Sequence, residues 1–241
     1  MAITELSLLG SIRVDTPTHD VLDAQRSFPL AFDGRSDVFF CGFVSPQSYG
    51  AASWFIQRQD GNVMVDSPRW NPVLVKSIEQ LGGIRYVFLT HKDDVAESAK
   101  YAAHFDAQRI LHSSDVVPAT RSVEHQLEGT GPWALLSGAD DVTLYHVPGH
   151  TAGCVALLHK PSGSLFTGDH LGGGVDNILQ INREHNWKSI AEQICSVEAL
   201  IGLPFTRVIP GHGRPMTFKS VEEKDAALKA LVNAERAIGA S

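Results

Sequence analysis

Four short segments of this 241-residue chain end in a side chain able to bind a metal: Thr90-His91, Pro148-Gly149-His150-Thr151, Thr167-Gly168-Asp169-His170 and Pro210-Gly211-His212-Gly213. In each, an apolar run stops, a glycine or other small residue permits a sharp turn, and an imidazole or carboxylate stands at the tip. Imidazole nitrogen and carboxylate oxygen are donors that borderline and hard divalent metals accept. One histidine at a loop tip has an ordinary structural explanation. Four such tips in one chain point to metal chemistry. The first tip continues as HKDDVAES, with Asp93, Asp94, Glu97 and Ser98 where further histidines would complete a cluster.

The elements that must position these tips follow from periodicity. DVFFCGFV, AASWFIQR and NVMVD are short runs rich in β-branched and aromatic residues, separated by polar turns, and predict an antiparallel meander. NPVLVKSIEQLGG carries Val73, Val75, Ile78 and Leu81 at helical spacing and ends in Gly82-Gly83. IRYVFLTH is a continuous apolar run, as expected of a strand buried on both faces. AESAKYAAHF predicts a helix and RILHSSD a strand entering a loop. In the second half DVTLYHVPG, GCVALLHK, GSLFTGD and RVIPGHG predict strands, residues 186–203 a helix, and residues 217–239 a terminal helix. Residues 1–36 read as an irregular lead-in. Two strand-rich halves, each carrying helices, predict one α/β domain over 1–241, a four-layer αββα sandwich.

Composition narrows the function. The chain is 43% hydrophobic and 20% charged, with a formal net charge of -7. Nothing resembles a basic stripe, so nucleic acid is not an expected partner. No apolar run approaches the length that spans a bilayer, and the N-terminus shows no secretory signal. Cys41, Cys154 and Cys195 are widely spaced with no CxxC, which excludes a disulfide framework, a zinc finger or a bound iron–sulfur cluster. The expected setting is the cytoplasm and the expected partner a small-molecule substrate; the oligomeric state stays open.

The ordered set TH…PGHT…FTGD…PGHG resembles the metallo-β-lactamase fold superfamily over residues 37–215, most of the chain. That superfamily includes glyoxalase II, persulfide dioxygenases and lactonases. SYGAASWFIQRQDGNVMVDSPRW, GGIRYVFLTHKDDVAES, LEGTGPW and LFTGDHL further resemble an uncharacterised branch found in cyanobacteria and plants. The resemblance implies an αββα sandwich with the metal site at one edge, and a bracing role for Asp66 behind the ligands. The superfamily motif is HxHxDH. Here His91 matches its first histidine, Asp93 stands in the place of the second, and Glu97-Ser98 replaces the Asp-His pair. Carried over, the first metal site keeps His91, His150 and Asp169, with Asp93 or Asp94 as a fourth group. The second keeps Asp169 and His212 and needs Glu97 to reach. One well-formed site per chain is therefore expected. Two histidines and one carboxylate suit zinc with an activated water, and equally the facial triad of mononuclear iron.

The leading expectation is a metal-dependent hydrolase acting on an ester, thioester or amide. Asp93 or Asp94 would orient the water or act as general base, and His212 would protonate the leaving group if it is not a ligand. The alternatives are an iron oxidoreductase of persulfide-dioxygenase type and a non-catalytic binding protein on a decayed site. His170 is expected behind the ligands or lining the pocket, since neighbouring residues at a strand end point apart. His104 is expected on a helix surface, and His112 and His146 in structural positions. Tyr49 and Trp54 are expected in the core, Cys154 as a small buried side chain, and His185 and Trp187 either bordering the site or in ordinary packing.

Overall fold

The polar turns and apolar runs fold as two successive sheets. A computed structural model describes residues 28–136 and 138–239, so most of the expected lead-in lies outside the described residues. The described residues divide into two compact units, one ending at Leu127 and the other beginning at Glu128.

The first unit holds seven strands in sequence order: β1 (Leu30–Ala31), β2 (Val38–Phe40), β3 (Trp54–Ile56), β4 (Val63–Val65), β5 (Tyr86–Phe88), β6 (Gln108–His112) and β7 (His125–Leu127). β1 to β4 pair antiparallel, as the meander predicts, and β4 to β7 pair parallel. The expected lead-in therefore ends in a short edge strand, because Leu30 and Ala31 find partners in Phe40 and Phe39. Parallel neighbours need a crossover, and helices supply two of them. Helix α1 (Pro72–Gln80) starts where Asn71 Oδ1 accepts from the backbone N–H groups of Val73 and Leu74, with proline at the first helical position. It stops at Gly82 and Gly83, both at positive φ. Helix α2 (Ser98–Phe105) ends on Asp106 in the left-handed region. Leu74, Ile78 and Tyr101 from these helices pack with Phe55, Met64, Val87 and Leu111 from one row of the sheet. The alternate row (Trp54, Val65, Phe88, Ile110) is equally buried, so the strands are covered on both faces.

The second unit holds six strands in the order β15-β14-β11-β10-β9-β8, with β8 (Trp133–Ala134), β9 (Val142–His146), β10 (Val155–His159), β11 (Ser164–Gly168), β14 (Arg207–Pro210) and β15 (Met216–Thr217). β11 and β14 are parallel and the other pairs antiparallel. Between β11 and β14 lie a small hairpin of β12 (Gly172–Gly173) and β13 (Leu179–Gln180), and helix α3 (Ile190–Ala199). The terminal helix α4 spans Val221–Gly239. It starts four residues later than the sequence predicts, because Met216 and Thr217 pair with Val208 and Arg207 as a strand. Helix α3 is shorter than the predicted 186–203. The N–H groups of Trp187 and Ser189 are bonded to the carbonyls of His150 and Gly149, which takes them out of the helix, and Ser189 Oγ caps its first turn. Ile194 and Val197 of α3 and Leu228, Leu231 and Val232 of α4 pack with Ala156, Leu158, Leu165 and Val208. Lys224 of α4 is fully buried; its Nζ donates to Leu203 O at 3.0 Å and lies 4.1 Å from the centroid of the Phe205 ring. Among the described residues no helix is long and apolar enough to cross a membrane.

Leu228→Ala, at a fully buried position of α4, is expected to lower the unfolding free energy by about 2–5 kcal/mol. Val73→Ala, at an exposed position of α1, should stay within about 0.5 kcal/mol. Urea unfolding followed by circular dichroism measures both.

Candidate metal and substrate site

In the first unit the site is built at the carboxyl ends of β4, β5 and β6. The parallel register sets Val65 beside Phe88, so the residues just after each strand emerge together. Asp66 follows β4 with φ 55, a left-handed conformation that aspartate tolerates better than most residues. That turn aims its carboxylate at Thr90, which donates from its backbone N–H at 2.8 Å and from its hydroxyl at 3.0 Å. Thr90 Oγ1 also lies 3.0 Å from His91 Nδ1. A threonine hydroxyl has one proton, and a carboxylate can only accept. With that proton on Asp66, Oγ1 accepts from His91 Nδ1–H, and the lone pair of the fully buried ring is on Nε2. The bracing role implied for Asp66 is thus matched by its hydrogen bonds.

Asp93 and Asp94 each place a carboxylate oxygen within 4.8 Å of a His91 ring nitrogen. Asp93 Oδ2 lies 3.9 Å from His91 Nε2, while its Oδ1 accepts from Lys92 Nζ at 2.9 Å. Asp94 is buried, and its carbonyl accepts from Ser67 N. Asp115, which the sequence reading passed over, accepts from Lys92 N at 3.1 Å. Its only signal in the sequence is its place just after a strand parallel to β5. Glu97 turns away: it precedes α2, and its Oε2 accepts from Trp70 N. Ser98 is the first residue of α2 and is buried.

In the second unit His150 sits in the turn from β9 to β10, Asp169 directly follows β11, and His212 follows β14. Gly168 pairs with Pro210 across a bulge, and Gly211 N donates to Gly168 O at 2.9 Å, so Asp169 and His212 leave adjacent parallel strands at one end. Gly149 cannot be replaced without distortion. It lies at φ 142, and a Cβ there would stand 2.3 Å from Gln193 Cα. Its turn is held by Asn186 Nδ2 on Gly149 O and Ser196 Oγ on Pro148 O.

Asp169 Oδ2 lies 3.8 Å from His150 Nε2 and 3.8 Å from His212 Nε2. Both spacings are too long for hydrogen bonds. Two donors about 2.1 Å from a shared ion are about 3.4 Å apart at the tetrahedral angle and further apart as the angle opens. Each spacing is one that a pair of donors to a divalent metal can take. His150 is buried and His212 is one third exposed, so the two differ in access to solvent.

His170, next in sequence to Asp169, lies near His150. It is fully buried, and neither ring nitrogen has a hydrogen-bond partner among the described residues. Burial, with the neighbouring His150, pushes its pKa down to about 3, so it stands as a neutral imidazole. A cavity of about 300 Å³ opens on Asp169 and His212 and is walled by Gly172, Gln180, Asn182 and Arg183. His170 is not part of its lining, and neither are His185 and Trp187.

The remaining expectations divide. His104 faces outward and pairs with Glu79 at 2.9 Å. His112 Nδ1 accepts from Ser114 N and His146 Nε2 meets Ala152 O, both local structural contacts. Trp54 is core, and Cys154 is buried beside Thr151 Oγ1. Tyr49 is not core. It ends a 3₁₀ turn at φ 50 and is 74% exposed.

The profile described as the metallo-beta-lactamase superfamily matches residues 49–212. The uncharacterized protein YmaE of Bacillus subtilis (strain 168) is 28% identical over 177 residues, which cover 70% of this chain and 60% of that protein. The probable metallo-hydrolase YqjP of the same organism is 28% identical over 116 residues, 46% of this chain and 35% of that protein. The matches thus span less than two thirds of either relative. Among solved structures, the metallo-β-lactamase FIM-1 from Pseudomonas aeruginosa, in its mono-zinc form, superposes with a TM-score of 0.62 at 17% identity, over 86% of this chain and 96% of that one. At that identity the likeness is one of fold. The ordered strand-end donors, the α/β fold and the profile match agree: the chain belongs to the metallo-β-lactamase superfamily.

Proposed function

We propose that the chain is a metal-dependent hydrolase that cleaves an ester, thioester or amide in a small molecule, with one well-formed metal site held by His91, His150 and Asp169. The observation that carries this reading is Asp169 Oδ2 standing 3.8 Å from His150 Nε2, with Asp169 on the wall of a cavity. Family membership, the likeness to a probable metallo-hydrolase and the fold shared with a mono-zinc enzyme support it. Glu97, occupied with the Trp70 backbone, supports one metal rather than two.

A divalent metal held there supplies a Lewis acid that brings the ionisation of a water into the neutral range. The chain's own residues do the rest. Thr90 and Asp66 fix the His91 ring through Nδ1. Asp93 Oδ2 receives the proton of the attacking water, while Lys92 on Oδ1 orients that carboxylate. His212, partly exposed on the cavity wall, gives a proton from Nε2 to the leaving oxygen, sulfur or nitrogen. His170, buried near His150, remains neutral.

Elemental analysis of the purified protein is expected to give close to one zinc per chain, and removal of the metal by a chelator should abolish hydrolysis of activated esters until zinc is restored. Near-stoichiometric iron with persulfide oxidation would replace the hydrolase with the iron oxidoreductase, and absence of any metal binding would leave neither. His150→Ala should eliminate metal binding, whereas His170→Ala should retain it.

Thr90→Val removes the hydroxyl that sets the His91 tautomer and Asp66→Ala removes its acceptor. Each should weaken zinc binding about 10–100-fold in competition with a chromophoric chelator. An unchanged affinity for Thr90→Val would refute the hydrogen-bond relay.

A further inference from the structure

His150 rides on the turn between β9 and β10, and Asp169 on the end of β11. One side chain, Gln193 of α3, is bonded toward both. It is fully buried, and its Nε2 donates at 2.6 Å to His170 O, one residue past Asp169. Its Oε1 accepts at 2.7 Å from Asn186 Nδ2, which also donates at 2.9 Å to Gly149 O, one residue before His150. Both ends of this strap are backbone carbonyls, which can only accept, so each side-chain amide has one workable orientation. Asn186 Oδ1 is also engaged, accepting from Lys188 N at 3.1 Å. The His150 turn lies directly against the helix here, since a Cβ on Gly149 would stand 2.3 Å from Gln193 Cα. Packing alone would be met by an apolar side chain, as at Ile194 and Val197 of the same helix. A buried amide is costly unless both its ends are bonded, and at Gln193 both are.

We propose that Gln193 is a positioning residue for the metal site: its amide ties the His150 turn and the end of β11 to one side chain, which holds His150 Nε2 and Asp169 Oδ2 at their 3.8 Å separation. The proposal rests on the metal-dependent hydrolase reading and deepens it by naming what sets the spacing of two of its donors. An imidazole N–H and a carboxylate on freely moving loops would close to a hydrogen bond of about 2.8 Å. Donors to one ion must stay further apart than that. Loops tied in advance keep the donors open and lower the ordering cost of binding the ion. Asn186 makes no hydrogen bond to residues 167–171 among the described residues, so any effect it has on that segment passes through Gln193.

The test uses the full chain and three variants, each checked by thermal melting. Gln193→Met keeps a side chain of similar length and flexibility without the amide. Asn186→Ala, at a partly buried position, breaks the strap at its other end. Ser196→Ala removes the bond from Ser196 Oγ to Pro148 O, which holds the His150 turn without reaching β11. On the metal-free chain, hydrogen exchange followed by mass spectrometry is expected to rise about 3–10-fold in both 147–154 and 167–171 for Gln193→Met and Asn186→Ala, and in 147–154 alone for Ser196→Ala. Zinc affinity, from competition with a chromophoric chelator, should fall about 10–100-fold in Gln193→Met. The visible absorption of its cobalt(II) form should shift, which a loss of stability alone does not produce. If Gln193→Met does not fold, Asn186→Ala decides through 167–171. If the wild type binds neither zinc nor cobalt(II), the hydrolase reading fails and hydrogen exchange still decides Gln193. Exchange at 167–171 that is unchanged in Asn186→Ala, or that rises as much in Ser196→Ala, overturns the proposal, as does a folded Gln193→Met with wild-type zinc affinity and cobalt spectrum.

Discussion

Parallel strand pairing is the constraint from which both donor sets follow. Parallel neighbours must be joined by a crossover, so their carboxyl ends lie together and face the same way. In the first unit this brings the residues after β4, β5 and β6 side by side, and Asp66, His91 and Asp115 are those residues. In the second unit the parallel pair β11 and β14 does the same for Asp169 and His212. The antiparallel strands elsewhere widen the sheets and bury them, but they do not gather donors in this way. The turn that carries His150 is the exception. It joins two antiparallel strands and needs its own fastening by Asn186, Ser189 and Ser196.

Burying imidazoles and carboxylates costs free energy unless each polar atom is met. The first unit meets that cost with a chain of hydrogen bonds that runs from Asp66 through Thr90 to His91, so a single carboxylate fixes both the backbone of the loop and the tautomer of the ring. His170 is different. It has no hydrogen-bond partner among the described residues, and the fold tolerates it by keeping it neutral. The same division of labour recurs around the cavity, where α4 is both a core helix, through Leu228 and Val232, and the support of a polar side chain, through Glu235.

Much of the fold was legible from period and punctuation. The meander, the fully buried strand before His91, the helix capped by Asn71 and the four glycine-flanked tips all follow from local sequence. The misjudged boundaries have a common cause. Residues 186–189 carry a helical pattern, yet the N–H groups of Trp187 and Ser189 are taken by the loop that bears His150. Thr217 reads as the start of a helix, yet Met216 and Thr217 complete a sheet edge. Tyr49 reads as core by type, and the turn that holds it turns it outward. In the first two cases a partner outside the segment outweighed a local preference; at Tyr49 a local turn did.

The sequence by itself determined the donors and where the backbone bends to present them, because residue type and glycine placement are local properties. It showed that HKDDVAES lacks the Asp-His pair. Only the tertiary structure decided what became of that loss. Glu97 is drawn to the backbone of Trp70, Asp115 secures the loop from a neighbouring strand, and Thr90 holds Nδ1 of the His91 ring. It also decided that Arg183 and Glu235, separated by 52 residues, would meet at the cavity wall. Such pairings depend on which strand ends and helix faces come together in space, and the spacing of residues along a chain does not encode that directly.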